Sequence, residues 1–339
     1  MKKINLAILG ATGVVGREML KILEERKFPV NKIKLLAHKS EAGEIIGFNG
    51  EDVVVEEVKD GSFTGINLTL VAVSNEVSKK LMPLITKSGS IAIDNSSAFR
   101  LDDNVPLVIP EINPKEVLKN KGIIANPNCS TTIALVAINA LNKYSKIERM
   151  IVSTYQAVSG EAVKGMRELE DQTKAVLNSK EYSPKIFDHV ISFNVIPSIG
   201  LPLENGFTRE EMKMVNEGRK ILDNPNLRVN CTCVRVPVMR SHSESITIET
   251  EKEITVEKAR ELLSNAKGVK LVDDLANKKY PMPLDTSNQD LVYVGRIRKD
   301  ISSLDGKSLA LWCCGDQIRK GAATNAVQIA ELLIEKNLI

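Results

Sequence analysis

The sequence predicts an α/β fold: an N-terminal Rossmann-type dinucleotide-binding domain, a second α+β domain on a mixed sheet, and a C-terminal helix returning to the first domain. Three observations carry this. Apolar strands alternate with helical segments through the first half, a pattern that folds into a parallel sheet with right-handed crossovers. A glycine-rich turn, Gly10-Ala-Thr-Gly13-Val-Val-Gly16, joins the first strand to the first helix. After Cys129 the strict alternation gives way to strands with helices interspersed. A length of 339 residues suits two domains, 1–128 with 316–339 and 129–315.

Taken in order, INLAIL (4–9) reads as a strand, and a helix starts near Val14. IKLLA (33–37), VVV (53–55), NLTLVAV (67–73), SIAID (90–94) and GIIAN (122–126) continue the strands, and EVSKKLMPLITK has the apolar spacing of a helix. Beyond Cys129, a helix over 130–143 leads into ERMIVSTYQAV and then a long polar helix, GEAVKGMRELEDQTKAVL. Strands follow at LRVNCTCVRVPVM, SITIET, DLVYVGRIR and LALWCC, with helices near EEMKMVNEGRKIL and VEKARELLSNA. In KGAATNAVQIAELLIEK, Ala326, Val327, Ala330, Leu333 and Ile334 share one helical face, which needs a partner surface on the first domain.

Composition narrows the function. A hydrophobic fraction of 43% with 26% charged residues is that of a well-packed globular chain. The net charge is only +3, the Lys and Arg residues are scattered, and aromatics make up 4%, so nucleic acid is not an expected partner. The opening MKKINLAILGATGVVG outlines a signal peptide but lacks a small-residue cleavage site, and Asn5, Thr12 and three glycines interrupt it. No stretch reaches the roughly 18 apolar residues of a membrane span, so a cytoplasmic protein is expected. Five cysteines, at 129, 231, 233, 313 and 314, make no disulfide framework. Cys231-Thr-Cys233 and Cys313-Cys314 lack zinc-site spacing and sit in strand-like runs; no metal is expected.

The glycine turn follows a strand and opens a helix, the setting in which backbone can approach a pyrophosphate at a helix N-terminus. This assigns Gly10, Thr12, Gly13, Val14, Val15 and Gly16 to a cofactor. A NAD site usually ends its second strand in an acidic residue, but here LLAHKSEAG places His38, Lys39 and Ser40 there. Lys39 and Ser40 suit a 2′-phosphate and favour NADP; an ordinary surface lysine is the alternative.

In NPNCSTT (126–132), Cys129 stands where a helix begins, with Ser130, Thr131 and Thr132 as cap and first-turn residues. Unpaired N–H groups at a helix start lower a thiol pKa and make a thiolate nucleophile. Such a nucleophile needs proton transfer, and the chain has three histidines. His38 lies in the cofactor region and His189 adjoins an apolar strand. His242, beside Arg235 and Arg240, is favoured by elimination.

NPNCSTT, STYQAVSGEAVKG, EEMKMVNEGRKI, RVPVMRSHSES and GDQIRKGAATNAVQIAE, in that order along the whole chain, strongly resemble aspartate-β-semialdehyde dehydrogenases. The resemblance implies NADPH-dependent reduction of L-aspartyl-4-phosphate to the semialdehyde with release of phosphate. That step leads toward lysine, methionine, threonine and isoleucine. It implies that Cys129 forms the thioacyl intermediate, Gln156 orients the acyl group and His242 is the acid/base. Arg100 and Lys213 become a phosphate clamp, Arg235 a grip on the α-carboxylate and Glu211 a partner for the ammonium. Asn128 would contact phosphate or acyl oxygen, and Ser159, Gly160 and Gln317 the nicotinamide end of NADP(H). A homodimer through the second domain, or a tetramer, is implied too. Two departures stand out: SGEA at 159–162 where the family often has SGAG, and Gln317 where it more often has Asn. N-acetyl-γ-glutamyl-phosphate reductase shares the chemistry, but its acetylated substrate would not need Glu211.

Overall fold

A computed structural model describes residues 3–339, so Met1 and Lys2 of the opening segment lie outside it. The chain divides into two compact units: the segment up to Asn128 with Ala322–Ile339, and Cys129–Gly321. The division near the C-terminus falls at 322 rather than the expected 316. Residues 316–321 group with the second unit because Asp316, fully buried, accepts hydrogen bonds from Arg240 Nε (2.6 Å) and the Asn288 amide (2.6 Å). Gln317 follows it, accepting from the Ser241 amide at 2.9 Å.

The first unit holds β1 (Ile4–Leu9), α1 (Val14–Glu25), β2 (Val30–Ala37), β3 (Ile45–Phe48), β4 (Glu51–Glu57), β5 (Leu68–Val71), α2 (Asn75–Lys87), β6 (Ile91–Asp94) and β7 (Ile123–Ala125). Their sheet runs β3-β4-β2-β1-β5-β6-β7 and is parallel except for the β3–β4 pair. Alternation along β1 sends Ile4, Leu6 and Ile8 to one face, where they pack with Met19, Ile22 and Leu23 of α1. Ala7 and Leu9 face the other way, toward Leu81, Met82 and Ile85 of α2. The C-terminal helix, α8 (Thr324–Glu335), joins the α1 layer through Ala326, Val327, Ile329, Ala330 and Leu333. Sheet and helices thus form the doubly wound architecture expected. β3 was not expected: it pairs with β4 through Asn49-Gly50, both with positive φ (52° and 80°), a turn chemistry that closes tight hairpins.

The second unit contains α3 (Cys129–Tyr144), β8 (Ile147–Gln156), α4 (Ala162–Leu177), α5 (Arg209–Ile221), β9 (Arg228–Arg235), β10 (His242–Thr250), α6 (Val256–Ser264), β11 (Val269–Leu271), α7 (Pro283–Thr286), β12 (Val292–Lys299) and β13 (Ser308–Gly315). Its six-stranded sheet runs β11-β12-β13-β10-β8-β9 and is mixed, with β10 antiparallel to both neighbours and β8 parallel to β9. The three-residue edge strand β11 was not expected from sequence. No helix among the described residues is long and apolar enough to cross a membrane.

Of the opening glycines, Gly10 adopts φ +86°, and a Cβ there would overlap the Ala72 carbonyl. A Cβ at Gly16 would overlap the Gly10 carbonyl oxygen and lie 2.8 Å from the Ala11 Cα. Backbone cannot yield as a flexible side chain can, so Gly16→Ala should cost about 1–3 kcal/mol of stability, read by urea denaturation.

Candidate active site

In the second unit, strand register lines up polar side chains on one sheet face. Gln156 at the end of β8 is opposite Arg235 at the end of β9, and His242 opens β10 opposite Gly315. One row behind them stand Cys233, Thr154, Glu244 and Cys313. Helices α3 and α5 pack over these strands, and Cys129 is the first residue of α3. Gly321 presses on it: a Cβ at 321 would sit 2.7 Å from the Cys129 Cβ.

His242 is fully buried. Its Nδ1 accepts a hydrogen bond from the Ala157 amide at 3.0 Å, and because that amide can only donate, the neutral ring carries its proton on Nε2. Nε2 lies 3.3 Å from the Gln156 amide nitrogen, the longer separation expected of two proton-bearing nitrogens. Burial and then the positive charge of Arg235 push the His242 pKa down to about 3, with Glu210 pulling it up. The ring is therefore a neutral Nε2–H donor at physiological pH. Gln156 accepts from Thr154 Oγ1 at 3.0 Å and donates to Glu210 Oε1 at 3.4 Å.

Arg235 is 4% exposed. It donates through Nη1 to the Ala157 carbonyl (2.8 Å) and through Nη2 to Glu161 Oε1 (3.0 Å), with Phe187 under the guanidinium at 5.8 Å. Burial draws its pKa down, while Glu161, Glu210 and Cys129 raise it, so all three lie within its electrostatic reach. Gly160 leaves room for this guanidinium, which a Cβ would strike.

Glu211 does not join the cluster. It completes a capping box at the start of α5: its Oε2 accepts from the Thr208 amide (2.7 Å), and its own amide donates to Thr208 Oγ1 (3.3 Å). Its Oε1 accepts from the Cys233 amide at 3.0 Å, so both oxygens are committed to structure. Glu210 is the carboxylate turned to the site, paired with Lys213 at 2.8 Å. The signal was in the sequence, since Thr208-x-x-Glu211 is a capping-box spacing and Glu210 and Lys213, three apart, share a helical face. Replacing Glu211 with Gln should cost about 1 kcal/mol of stability by thermal unfolding, whereas Glu210→Gln should act on turnover more than on stability.

The other expected residues separate by unit. Ser159 and Gln317 meet in the second unit, where the Gln317 amide donates to the Ser159 hydroxyl. Arg100 and Asn128 belong to the first unit and are buried; Arg100 donates to the carbonyls of Asn126 (2.9 Å) and Asn95 (2.7 Å). Also in the first unit, Gly13 is the N-cap of α1 with no side-chain cap, and Lys39 and Ser40 lie exposed in a single 3-10 turn after β2. His38 Nδ1 accepts from the Ser40 amide at 3.2 Å. Cys231 and Cys233 lie in β9, and Cys313 and Cys314 in β13, all buried and free.

Glu244 is a group the sequence did not single out. It is fully buried, and neither oxygen has a hydrogen-bond partner among the described residues. Burial, then Cys233, raises its pKa well above the ordinary carboxylate range. The folded state thus keeps a proton that the unfolded chain releases, so this residue's contribution to stability is whole at acid pH and is lost as pH rises. Glu244→Gln should raise Tm over the parent more at pH 8 than at pH 5, as differential scanning calorimetry would show.

A dinucleotide-type unit and a second unit carrying a helix-start cysteine beside Arg, His and Gln define an oxidoreductase class that family models name. Residues 5–120 match the model described as semialdehyde dehydrogenase, NAD binding domain, and residues 138–320 match semialdehyde dehydrogenase, dimerisation domain. The chain is 50% identical over 340 aligned residues to an aspartate-semialdehyde dehydrogenase of Aquifex aeolicus, covering 99% of both, and 45% identical to that of Bacillus subtilis, again covering 99% of both. A crystal structure of aspartate semialdehyde dehydrogenase II from Vibrio cholerae, complexed with ASA, superposes with a TM-score of 0.96 at 42% identity over 99% of both chains. This chain belongs to the aspartate-semialdehyde dehydrogenase family, enzymes of amino-acid biosynthesis.

Proposed function

We propose that the chain carries out NADPH-dependent reductive dephosphorylation of L-aspartyl-4-phosphate to L-aspartate 4-semialdehyde through a thioacyl intermediate on Cys129. The observation that carries this reading is a cysteine at the first residue of α3 in the same unit as the buried Gln156–His242–Arg235 row. The setting is the cytoplasmic biosynthesis of lysine, diaminopimelate, methionine, threonine and isoleucine. The working form is a homodimer through the second unit, or a tetramer.

Cys129 Sγ attacks the acyl carbon; a C–S bond forms, and the C–O bond to phosphate breaks with its electron pair leaving on phosphate. When bound, NADPH supplies the hydride that makes the reaction a reduction. The C–S bond then breaks, freeing the aldehyde and returning the thiolate. Throughout, the His242 Nε2–H donates to the substrate oxygen. Arg235 takes the α-carboxylate and Glu210, rather than Glu211, the ammonium. Arg100, Lys213 and Asn128 serve the phosphate or acyl oxygen.

For the cofactor, the first-unit residues fit a dinucleotide. Packing demands glycine at 10 and 16, but at Gly13 a Cβ would meet only the Gly10 carbonyl oxygen, at an ordinary 3.4 Å. A bare N-cap there leaves the α1 amides open to a pyrophosphate, held by Gly10, Thr12, Gly13, Val14, Val15 and Gly16. Lys39 and Ser40 supply a cation and a hydroxyl for the 2′-phosphate, and Ser159, Gly160 and Gln317 hold the nicotinamide end.

The test is phosphate-dependent reduction of NADP by L-aspartate semialdehyde, followed by NADPH absorbance, for the parent and Cys129→Ala. Activity that requires phosphate, disappears in Cys129→Ala and is slower with NAD supports the reading. Turnover of N-acetylglutamate semialdehyde instead would overturn it.

A further inference from the structure

We propose that Glu161 is an internal placeholder for the substrate α-carboxylate: it occupies the Arg235 guanidinium in the free enzyme and is displaced when substrate binds. The inference rests on the reading of Arg235 as the carboxylate grip.

Four observations point the same way. A buried guanidinium needs an anionic partner, because water no longer supports its charge, and Glu161 is the residue that raises its pKa most. The bond is a single one, from Nη2 to Oε1 at 3.0 Å, and not the bidentate fork an arginine can offer a carboxylate. The two partners are unequally held: the Arg235 side chain is 5% exposed and fixed by the Ala157 carbonyl, whereas the Glu161 side chain is 46% exposed and can swing into water. Finally, a small cavity of about 90 Å³, bordered by Glu161, Phe187, Asp188, Ser198 and Arg235, opens beside the pair and leaves the Glu161 side chain space to move off the guanidinium.

The backbone at Glu161 is held in an uncommon conformation, so the displacement is one of its side chain. Val158–Glu161 forms a single 3-10 turn, and the next residue, Ala162, is held at φ 53°, ψ −150°, a region that an L-residue with a Cβ occupies only under strain. Glu161, with Ala162, makes SGEA out of the family's frequent SGAG, so the placeholder sits where this chain departs from that pattern. No bond to the acyl group changes through Glu161; it acts on substrate affinity through Arg235, as a positioning and specificity residue.

Steady-state kinetics with L-aspartate semialdehyde, NADP and phosphate test this on the parent, Glu161→Gln and Glu161→Asp, with thermal unfolding run alongside. In Glu161→Gln, KM for the semialdehyde should fall roughly two- to tenfold, the scale of a partly exposed ion pair, with kcat within about twofold and KM for NADP unchanged. Glu161→Asp keeps the charge but is too short to reach Nη2, and its KM should fall with that of the Gln variant. An Asp variant that behaves like the parent would mean that only the field of the carboxylate matters, and the placeholder would be wrong. A rise in KM in either variant at unchanged Tm would make Glu161 a support for Arg235 and overturn it equally. Absence of semialdehyde turnover by the parent would sink the functional reading instead.

Discussion

The register of β8 against β9 and β10 is the constraint on which the second unit depends. Side chains alternate along a strand, so a slip of one residue would turn Gln156, Arg235 and His242 away from α3 and bring Tyr155 and Val234 to that face. Register is strongly specified where one face is buried, and here the rows behind the polar one supply that specification: Val152, Ile246 and Leu311 are all buried. The apolar rows fix the sheet, and the polar row at its end inherits the alignment without having to stabilise it.

Burial then sorts the titratable groups on this face into donors and charges. His242 loses its charge to burial and to Arg235, and is left as a neutral N–H donor of defined tautomer. Glu244, one row back, loses its charge to burial as well. Arg235 keeps its charge because two carboxylates, Glu161 and Glu210, lie within its field. Of these groups Arg235 is the retained cation and His242 the neutral donor, the pair that the proposed mechanism sets against the substrate.

Much of the architecture was legible because its signals are local. Each first-unit strand except β3 shows as an apolar run, and the helices show as 3.6-period faces. β3 has the weaker pattern of an edge strand, with Ile45 and Gly47 exposed, and its evidence lies in the Asn49-Gly50 turn rather than in its own residues. In the site, Cys129 declared itself by its neighbours and His242 by elimination among three histidines. Glu211 was misread for Glu210 because adjacent glutamates look alike until the helix start is located; the Thr208 cap decides which one turns inward. Glu244 was not legible at all, and Glu161 showed only as part of the SGEA departure, without its partner. One owes its character to strands remote in sequence, and the other to an arginine 74 residues away.

The placement of α8 bears on how the chain comes to fold. The first unit draws its α1 layer from both ends of the sequence, and Ala326, Val327, Ile329, Ala330 and Leu333 fill a core whose other walls are complete by residue 125. During synthesis the N-terminal segment emerges long before that filler, so its sheet must wait, with one apolar face part-covered, while the 193 residues of Cys129–Gly321 are made. The second unit, continuous in sequence, can close as soon as it leaves the ribosome. The first unit can thus complete its core only after the whole of the second has been synthesised.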